Sequence, residues 1–265
     1  IKYSTDRKQF GVSINTFGAI KSKLAEMATK IFATESLCYR AGQDIEDRMV
    51  ALAQEGLPDA EAKLKALEQF AIEAAIAKVH GSEVLDYVVD QGVQIYGGMG
   101  YSADAPMERA YRDARISRIY EGTNEINRML MVGMVLKRAM KGEINLFEPA
   151  MAVASELTSV PSFESIDASE LFAVEKDILK KLKKVFLMVG GKAAMALQDR
   201  IEDEQEIMMN LADVMIEIYA AESALLRAEK LVSLKGEEAC ASQIAMAKIY
   251  LYEAVDKIEA SAKEA

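Results

Sequence analysis

Several residue types are scarce in this chain, and each shortage argues against a class of protein. The sequence has no tryptophan, four prolines and a single histidine among 265 residues. Its two cysteines, Cys38 and Cys240, are too few for the disulfide framework of a small secreted domain. Each falls alone within a helical pattern, so we expect buried free thiols in a reducing, cytoplasmic setting and no metal site. No apolar run approaches the roughly 18 residues that a membrane-spanning helix needs.

The residues that are plentiful favour helices. Hydrophobic residues make up 51% of the chain, which is enough for a sizeable core. Alanine, leucine, glutamate, lysine and methionine, all good helix formers, are abundant. Acidic residues outnumber basic ones by 42 to 32, and the formal net charge is −10. This acidic balance argues against nucleic acid as the main partner. We therefore predict an all-α protein.

The hydrophobic pattern predicts long helices separated by turns. One helix should run from about residue 20 to 51, and the next from about 60 to 95, with a possible interruption near His80 and Gly81. As a lone histidine without partners in the pattern, His80 is expected to be structural. The predicted apolar stripe of the first helix consists of Leu24, Met27, Ile31, Phe32, Leu37, Cys38 and Ile45.

The chain divides into two predicted helical domains, residues 1–141 and 169–265. The intervening residues 142–168 contain Pro149 and Pro161 and are predicted to form a linker. Gly190 and Gly191 predict a kink or break in the second domain. Residues 24–36 align without gaps with residues 211–223, and six positions are identical. This echo indicates two related bundles, although helical periodicity alone can produce such similarity.

One short stretch carries a functional signal. Glu121 is followed by Gly122 and by Thr123, a plausible helix N-cap, with Glu125 in the first turn of the next helix. A carboxylate at a helix junction, beside free backbone N–H groups, suits proton transfer, and the glycine lets a ligand approach the backbone. The ordinary alternative is an interhelical turn with an exposed glutamate.

A glycine-rich segment, residues 94–100, ends the second long helix. It is not a dinucleotide-binding fingerprint, because no strand precedes it, and it lacks the Gly-Lys-Ser/Thr end of a P-loop. It is either a helix C-cap with a turn or a backbone that lies close to a ligand.

Five segments in order resemble the C-terminal helical domain of acyl-CoA dehydrogenases. They are Arg-Lys-Gln-Phe-Gly (7–11), Leu-Ala-Glu-Met (24–27), Gln-Ile-Tyr-Gly-Gly-Met-Gly (94–100), Tyr-Arg-Asp-Ala-Arg-Ile (111–116) and Ile-Tyr-Glu-Gly-Thr (119–123). The resemblance covers residues 1 to about 140. Residues 145–265 look like the additional C-terminal helical domain of the very-long-chain subgroup. The resemblance implies a helical bundle like the C-terminal domain of acyl-CoA dehydrogenases, followed by a second, related bundle.

The resemblance also implies a chemistry. Enzymes of this family use FAD to desaturate an acyl-CoA thioester between Cα and Cβ. By resemblance, Glu121 is the base that removes the α-proton, its N–H polarises the thioester carbonyl, and Tyr120 and Gly122 adjoin the substrate. The implied FAD contacts are Arg7, Phe10, Phe17, Gly18, Gln94, Ile95, Tyr96, Gly97, Gly98, Thr123 and Glu125.

The partners follow from the same resemblance. Segment 94–98 would touch FAD across a subunit interface, which implies a homodimer; an acyl-CoA substrate and an electron-transferring flavoprotein are the other expected partners. The family's N-terminal and middle domains are not in this sequence, so we expect a fragment that is inactive by itself. The alternative is a helical oligomerisation or membrane-docking module without catalysis.

A lysine-rich amphipathic segment, residues 171–189, bears on that alternative. A basic amphipathic helix can lie on an anionic membrane, and the very-long-chain subgroup is membrane-associated. Apolar helix faces usually pack inward, however, so burial against the first bundle is the favoured interpretation.

Overall fold

The computed structural model describes residues 1–156, 167 and 170–265, and its regular structure is almost entirely helical, which confirms the all-α prediction. The helices of this described part are α1 (Lys2–Asp6), α2 (Gly18–Gln54), α3 (Asp59–Gln69), α4 (Ala71–Tyr96), α5 (Gly98–Tyr101), α6 (Pro106–Arg115), α7 (Asn124–Met140), α8 (Phe147–Glu156), α9 (Ala173–Leu197), α10 (Gln205–Lys235) and α11 (Ala241–Glu264). Strands β1 (Lys8–Gln9) and β2 (Val12–Ser13) form a short antiparallel hairpin.

The hairpin is a feature that the sequence pattern did not predict. Its two-residue loop consists of Phe10 and Gly11, with φ of 50° and 83°. Positive φ at both central residues is the geometry that matches the twist of a tight hairpin. Two-residue strands are too short to show an alternating pattern. Gly11 therefore serves the hairpin turn, whereas α1 ends earlier, at Asp6.

The break in the second long helix lies elsewhere than expected. Phe70, with φ −100° and ψ 26°, separates α3 from α4, and α4 runs through His80 and Gly81 without interruption. A Cβ on Gly81 would lie 3.7 Å from Cγ2 of Thr34 on α2. Gly81 therefore lies inside a continuous helix, at ordinary van der Waals distance from α2, and not at a helix end.

The break predicted at Gly190 and Gly191 in α9 is also wrong, whereas a kink there stays a prediction. The helix is continuous from Ala173 to Leu197, and a Cβ on Gly191 would lie 3.3 Å from Cβ of Ala150 on α8. Helix α8 lies within the stretch predicted as a linker, packs on α9 and buries Val153. Residues 157–166 and 168 of that stretch, and residue 169 after it, lie outside the described residues.

Two of the predicted buried positions on α2 are exposed. Leu37 is fully buried, but its neighbour Cys38 faces outward, as does Ile31. The core-facing line of α2 passes through Phe32, Ala33 and Leu37, and successive residues of a helix point about 100° apart. The other thiol, Cys240, is buried as expected.

The two predicted domains share their hydrophobic cores. One cluster joins Phe32 and Leu37 of α2 with residues of α9, α10 and α11, among them Leu225 and Leu251. A second cluster joins Val79 of α4 and Met131 of α7 with α10. The C-terminal helices therefore pack directly on the N-terminal ones, and the boundaries between the domains stay a prediction.

The internal echo corresponds to a reciprocal contact between α2 and α10. Arg40 donates to Glu222 at 3.0 Å, and Arg227 donates to Glu35 at the same distance. Each guanidinium also lies over an aromatic ring of the other helix, Arg40 at 4.7 Å from Tyr219 and Arg227 at 4.8 Å from Phe32. In the alignment of the echo, Glu35 matches Glu222 and Phe32 matches Tyr219. The two helices are thus related by an approximate two-fold rotation.

The lysine-rich segment forms α9, and its apolar face is buried. Leu179 and Leu182 lie in the cluster shared with α2, so burial against the first bundle is observed. Several lysines of this helix are ion-paired within the molecule: Lys176 with Glu229, Lys183 with Glu222, and Lys184 with Glu156. Within the described ranges, no helix has both the length and the apolar character needed to cross a bilayer.

Candidate functional site

Glu121 lies in a turn between a 3-10 segment, Ile116–Arg118, and α7. Glu121 and Gly122 both have positive φ, 55° and 79°. A Cβ on Gly122 would lie 3.0 Å from Nδ2 of Asn127, so a side chain there would be both strained and crowded. Thr123 is the N-cap of α7, as predicted, and its hydroxyl accepts from the N–H of Ile126 at 3.3 Å. The sequence thus makes a sharp turn with a helix start directly after it.

Side chains from α4 and α7 hold the carbonyl groups of this turn. Nζ of Lys78 donates to the Gly122 carbonyl at 2.6 Å and to Oδ1 of Asn124 at 2.8 Å. Nδ2 of Asn127 lies 3.3 Å from the Glu121 carbonyl oxygen and 3.0 Å from that of Gly122. The turn is therefore fixed by an ammonium group and an amide, although it lies at the surface.

The carboxylate and the backbone N–H of Glu121 are the polar groups that this turn presents at the surface. The Glu121 side chain is exposed, and in the described residues nothing accepts from its backbone N–H. Apolar side chains surround it at the surface: Ile119, Tyr120 and Ile126 are each about half exposed. A free carboxylate and a free N–H thus lie side by side on an apolar surface, which is open to a ligand or to another part of a protein.

The carboxylate of Glu125 accepts hydrogen bonds at the start of α7. Its own backbone N–H and then the Thr123 hydroxyl donate to its carboxylate, and these hydrogen bonds lower the pKa of Glu125 below its usual value. This contact gives Glu125 a role at the helix N-terminus, where a negative charge is favourable. Its predicted role near the flavin stays a prediction.

A second group of predicted site residues surrounds the hairpin at the other end of α4. The ring of Tyr3 stacks on that of Tyr96 at 3.8 Å, and its hydroxyl donates to the Tyr96 carbonyl, which joins α1 to the end of α4. Phe10 is 93% exposed at the hairpin tip and meets Phe17 edge to face. Arg7 is exposed, and no carboxylate of the described chain pairs with it.

The glycine-rich segment begins at the C-terminal end of α4, as the interpretation as a helix C-cap with a turn predicts. Gly97, with φ 61°, caps α4, and Gln94, Gly97 and Gly98 are exposed. Around Gly97 and Gly98 the space is open, since no heavy atom lies within 4 Å of a built Cβ. Ile95 differs, because its side chain is buried, so only its backbone is available to a ligand. Gly18 is exposed at the start of α2.

The predicted residues therefore form two groups rather than one. Lys78, which holds the Glu121 turn, and Gln94 are 16 residues apart on α4, or about 24 Å at 1.5 Å per residue. Sequence reasoning missed Lys78 and Asn127, which fix the turn. Asn127 lies four residues after Thr123, and an asparagine so close to a turn could have been suspected. A lysine inside a helix gives no such signal.

Comparison with known proteins places the chain in a family. Residues 1–136 match the family described as "Acyl-CoA dehydrogenase, C-terminal domain", and residues 181–265 match a second family with the same description. A Bacillus subtilis protein described as a probable acyl-CoA dehydrogenase is 43% identical over 99% of this chain. The very long-chain specific acyl-CoA dehydrogenase of Rattus norvegicus is 32% identical over 88%.

A solved structure supports the same family assignment. The crystal structure of an acyl-CoA dehydrogenase complexed with FAD from Bacillus anthracis matches with a TM-score of 0.93 and 43% identity, over 99% of this chain and 44% of that one. The chain spans 44% of the length of the Bacillus subtilis relative and 35% of the rat protein. On these matches, which cover both of its helical parts, the chain belongs to the acyl-CoA dehydrogenase family and corresponds to the family's C-terminal region.

Proposed function

We propose that this chain is the C-terminal part of an FAD-dependent enzyme that introduces a double bond between Cα and Cβ of a fatty acyl-CoA thioester. Membership of the family supports this reaction class. The observation that carries the residue assignment is the Glu121 turn, where an exposed carboxylate adjoins a backbone N–H that makes no other hydrogen bond in the described chain.

Glu121 has two roles in this proposal. Its backbone N–H donates to the thioester oxygen, where negative charge develops as the α-proton leaves, and a donor placed there lowers the barrier. Its carboxylate accepts the α-proton as a general base. Gly122 leaves room for the thioester next to the backbone, since its Cα carries no side chain. When bound, FAD supplies the acceptor for the β-hydrogen, which leaves as hydride.

The apolar surface around Glu121 would exclude water once it is covered. Ile119, Tyr120 and Ile126 are exposed here, and an acyl chain or a preceding domain lying on them would bury apolar area. Removal of water strengthens the interaction of the N–H with the developing charge. Tyr120 thereby adjoins the substrate, as the resemblance implies.

The hairpin and the end of α4 fit the polar and aromatic parts of FAD. The exposed Arg7 guanidinium suits the diphosphate, and the exposed ring of Phe10, backed by Phe17, suits the adenine. Further FAD contacts in this proposal come from Gly18, from Gln94, Ile95, Tyr96, Gly97 and Gly98, and from Thr123 and Glu125 beside the catalytic turn.

We further propose that the protein is a homodimer in which two chains contribute to each FAD site. The separation of about 24 Å along α4 between the two groups of residues supports such sharing, because each group can then adjoin a different FAD. An electron-transferring flavoprotein completes the proposed partners, as the resemblance implies.

The test is an anaerobic titration of the full-length parent protein with a long-chain acyl-CoA. The readout is the loss of flavin absorbance, which is called bleaching below. The parent should bleach, and Glu121→Gln should retain FAD but bleach at least about 100-fold more slowly, since general-base catalysis contributes about 10²–10⁴-fold. Glutamine keeps the shape and the backbone N–H and removes only the proton acceptor.

Two controls make the titration decisive. Glu143→Gln, which alters an exposed carboxylate beyond the other end of α7, should bleach at close to the parent rate. The 265-residue chain alone, which we propose is inactive, should carry no stoichiometric FAD. Equal bleaching of the parent and Glu121→Gln would refute Glu121 as the base, and a parent without flavin would refute the reaction itself.

A further inference from the structure

The Glu121 turn has a backbone conformation that needs support. Glu121 is one of four non-glycine residues in the described chain with positive φ. The left-handed region is unfavourable for an L-residue with a side chain, so it persists where the surroundings fix it. The groups that fix this turn therefore control where the Glu121 carboxylate lies.

Lys78 is the group that reaches the turn from outside. It lies on α4, 44 residues before Gly122, is partly buried, and donates to the Gly122 carbonyl at 2.6 Å. Its second bond, to Oδ1 of Asn124 at 2.8 Å, joins it to the first residue of α7. A charged donor forms a stronger hydrogen bond than a neutral amide, so Lys78 is the firmest contact of the turn.

The contacts of Lys78 continue without a gap into the C-terminal helices. Nδ2 of Asn124, a fully buried residue, lies 3.2 Å from Oε1 of Glu83. Arg128 donates to both oxygens of Glu83, at 2.7 and 3.0 Å. Its Nε donates to Oδ1 of Asp213 on α10 at 2.7 Å.

Arg128 is the centre of this chain of contacts. Its side chain is 11% exposed, and although burial opposes its charge, the hydrogen bonds and charges of Glu83 and Asp213 raise the pKa of Arg128. A buried guanidinium must keep its partners, because loss of one leaves an uncompensated charge. Asp213 thus shares with Glu83 the task of holding Arg128, while Asn124 is held both by Glu83 at 3.2 Å and by Ser82 of α4 at 2.9 Å.

We propose that Lys78 is a positioning residue for Glu121, and that Asp213 of α10 holds it in place through Arg128, Glu83 and Asn124. This inference rests on the proposed role of Glu121 as the base. Lys78 acts through the Gly122 carbonyl and touches no reacting atom. The C-terminal helices thereby influence the reaction without contacting the substrate. The path runs through six groups, which are the side chains of Asp213, Arg128, Glu83, Asn124 and Lys78 and the carbonyl of Gly122.

The test compares Lys78→Met and Asp213→Asn with the full-length parent in stopped-flow flavin bleaching by a long-chain acyl-CoA. Misplacement of a catalytic group by 1 Å can cost about 100-fold in rate. Lys78→Met should therefore lower the limiting bleaching rate about 10- to 100-fold and change the half-saturating acyl-CoA concentration less than about threefold. Lys78→Arg, which keeps the charged donor, should recover most of the rate, and Asp213→Asn should lower it a few-fold.

Amide hydrogen exchange gives a readout that does not need turnover. Lys78→Met should speed exchange in residues 120–127 and leave α2 and α10 unchanged. The matched control is Lys63→Met, an exposed lysine on α3 that should affect neither exchange nor rate. A uniform rise in exchange over all helices would instead assign Lys78 to general stability and overturn the proposal, as would parent-like rates and exchange in Lys78→Met.

Failure of this inference can be told from failure of the proposed function. If Glu121→Gln loses bleaching and Lys78→Met does not, only the positioning role is wrong. If Glu121→Gln bleaches like the parent, the base lies elsewhere. If Lys78→Met does not fold, the test uses Lys78→Arg and Asp213→Asn instead. The proposal is then overturned if Asp213→Asn retains the parent's limiting bleaching rate and the parent's hydrogen exchange at residues 120–127.

Discussion

Helices α2 and α10 share a sequence pattern and face each other, yet they serve the molecule differently. Seven of the 37 residues of α2 are buried, against thirteen of the 31 residues of α10. Helix α2 begins directly after the segment that contains the hairpin with its exposed Phe10, whereas α10 follows the 3-10 turn Gln198–Asp203. The repeated pattern determines how the two helices pack, whereas the segments attached to them differ, and in our proposal only the segment before α2 adjoins FAD.

A single aligned position shows the same contrast. Glu26 on α2 matches Asp213 on α10 in the echo. Glu26 pairs with Lys30 one turn further along its own helix, at 3.6 Å. Asp213 instead reaches Arg128 on another helix at 2.7 Å. The two acids are equally exposed, at 37% of their side chains, but Glu26 forms its ion pair within its own helix and Asp213 forms its ion pair with α7.

The largest effect should come from removing a side chain in the core that the two helices share. Leu37 of α2 is 0% exposed in that cluster, so Leu37→Ala should lower the free energy of unfolding by about 2–5 kcal/mol. Leu234→Ala on α10, a side chain that is 70% exposed, should change it by less than about 0.5 kcal/mol. Denaturant titration measures both. Similar losses in the two variants would mean that the α2–α10 core is not a single packed unit.

A buried polar network also joins the two bundles. Nε2 of His80 on α4 lies 2.7 Å from the Tyr250 hydroxyl on α11, which lies 2.8 Å from Oε2 of Glu217 on α10. A carboxylate is the stronger acceptor, so we infer that Tyr250 donates to Glu217 and that His80 donates to Tyr250. Nδ1 of His80 lies 3.1 Å from the hydroxyl of Thr34 of α2, which itself donates to the Lys30 carbonyl at 2.9 Å. His80 thus has a structural role in a network that joins four helices.

The next effect should appear as a pH dependence of stability. Burial lowers the pKa of His80 from 6.5 to about 4, with Glu217 opposing and Lys257 adding to this shift. Between these values the unfolded chain binds a proton that the folded chain does not, so the stabilisation that is complete above pH 6.5 is lost as the pH falls toward 4. The loss should amount to roughly 3 kcal/mol.

Variants of this network isolate that contribution. Denaturation of the parent and of His80→Gln at several pH values between 7 and 4 should give a flatter dependence for the variant. Tyr250→Phe, which keeps the imidazole, should retain a dependence close to that of the parent. Equal slopes for the parent and His80→Gln would contradict a buried neutral histidine.

The smallest effect should sharpen the comparison of the two arginines. Arg40 pairs with Glu222, whose side chain is 22% exposed, and Arg227 pairs with Glu35, which is 51% exposed. Exposed ion pairs contribute about 0.2–1 kcal/mol and are screened by solvent. Arg40→Met should therefore cost about 1 kcal/mol and Arg227→Met about half of that. Double-mutant cycles with Glu222→Gln and Glu35→Gln measure each coupling; a stronger Arg227 pair would contradict the expected asymmetry.

Much of the fold and of the site could be predicted because it depends on local sequence. The helical pattern, the Thr123 cap and the turn after Glu121 follow from residues within a few positions of one another. The features that were missed depend on distant contacts. Gly81 and Gly191 lie inside continuous helices that pack against other helices, and Lys78 matters because α4 passes the turn. The hydrophobic periodicity of a chain does not show which helices will pack against each other.

The reciprocal contact of α2 with α10 has a consequence for how this protein can vary. In a contact between two identical subunits, a substitution occurs on both sides at once, and its effect is doubled. Here Arg40 and Arg227, or Phe32 and Tyr219, are separate codons of one chain, so each half of a nearly symmetric interface can change while the other stays the same. Asp213 and Glu26, at matched positions of the echo, already have different partners. A nearly two-fold interface within one chain can therefore change one half at a time.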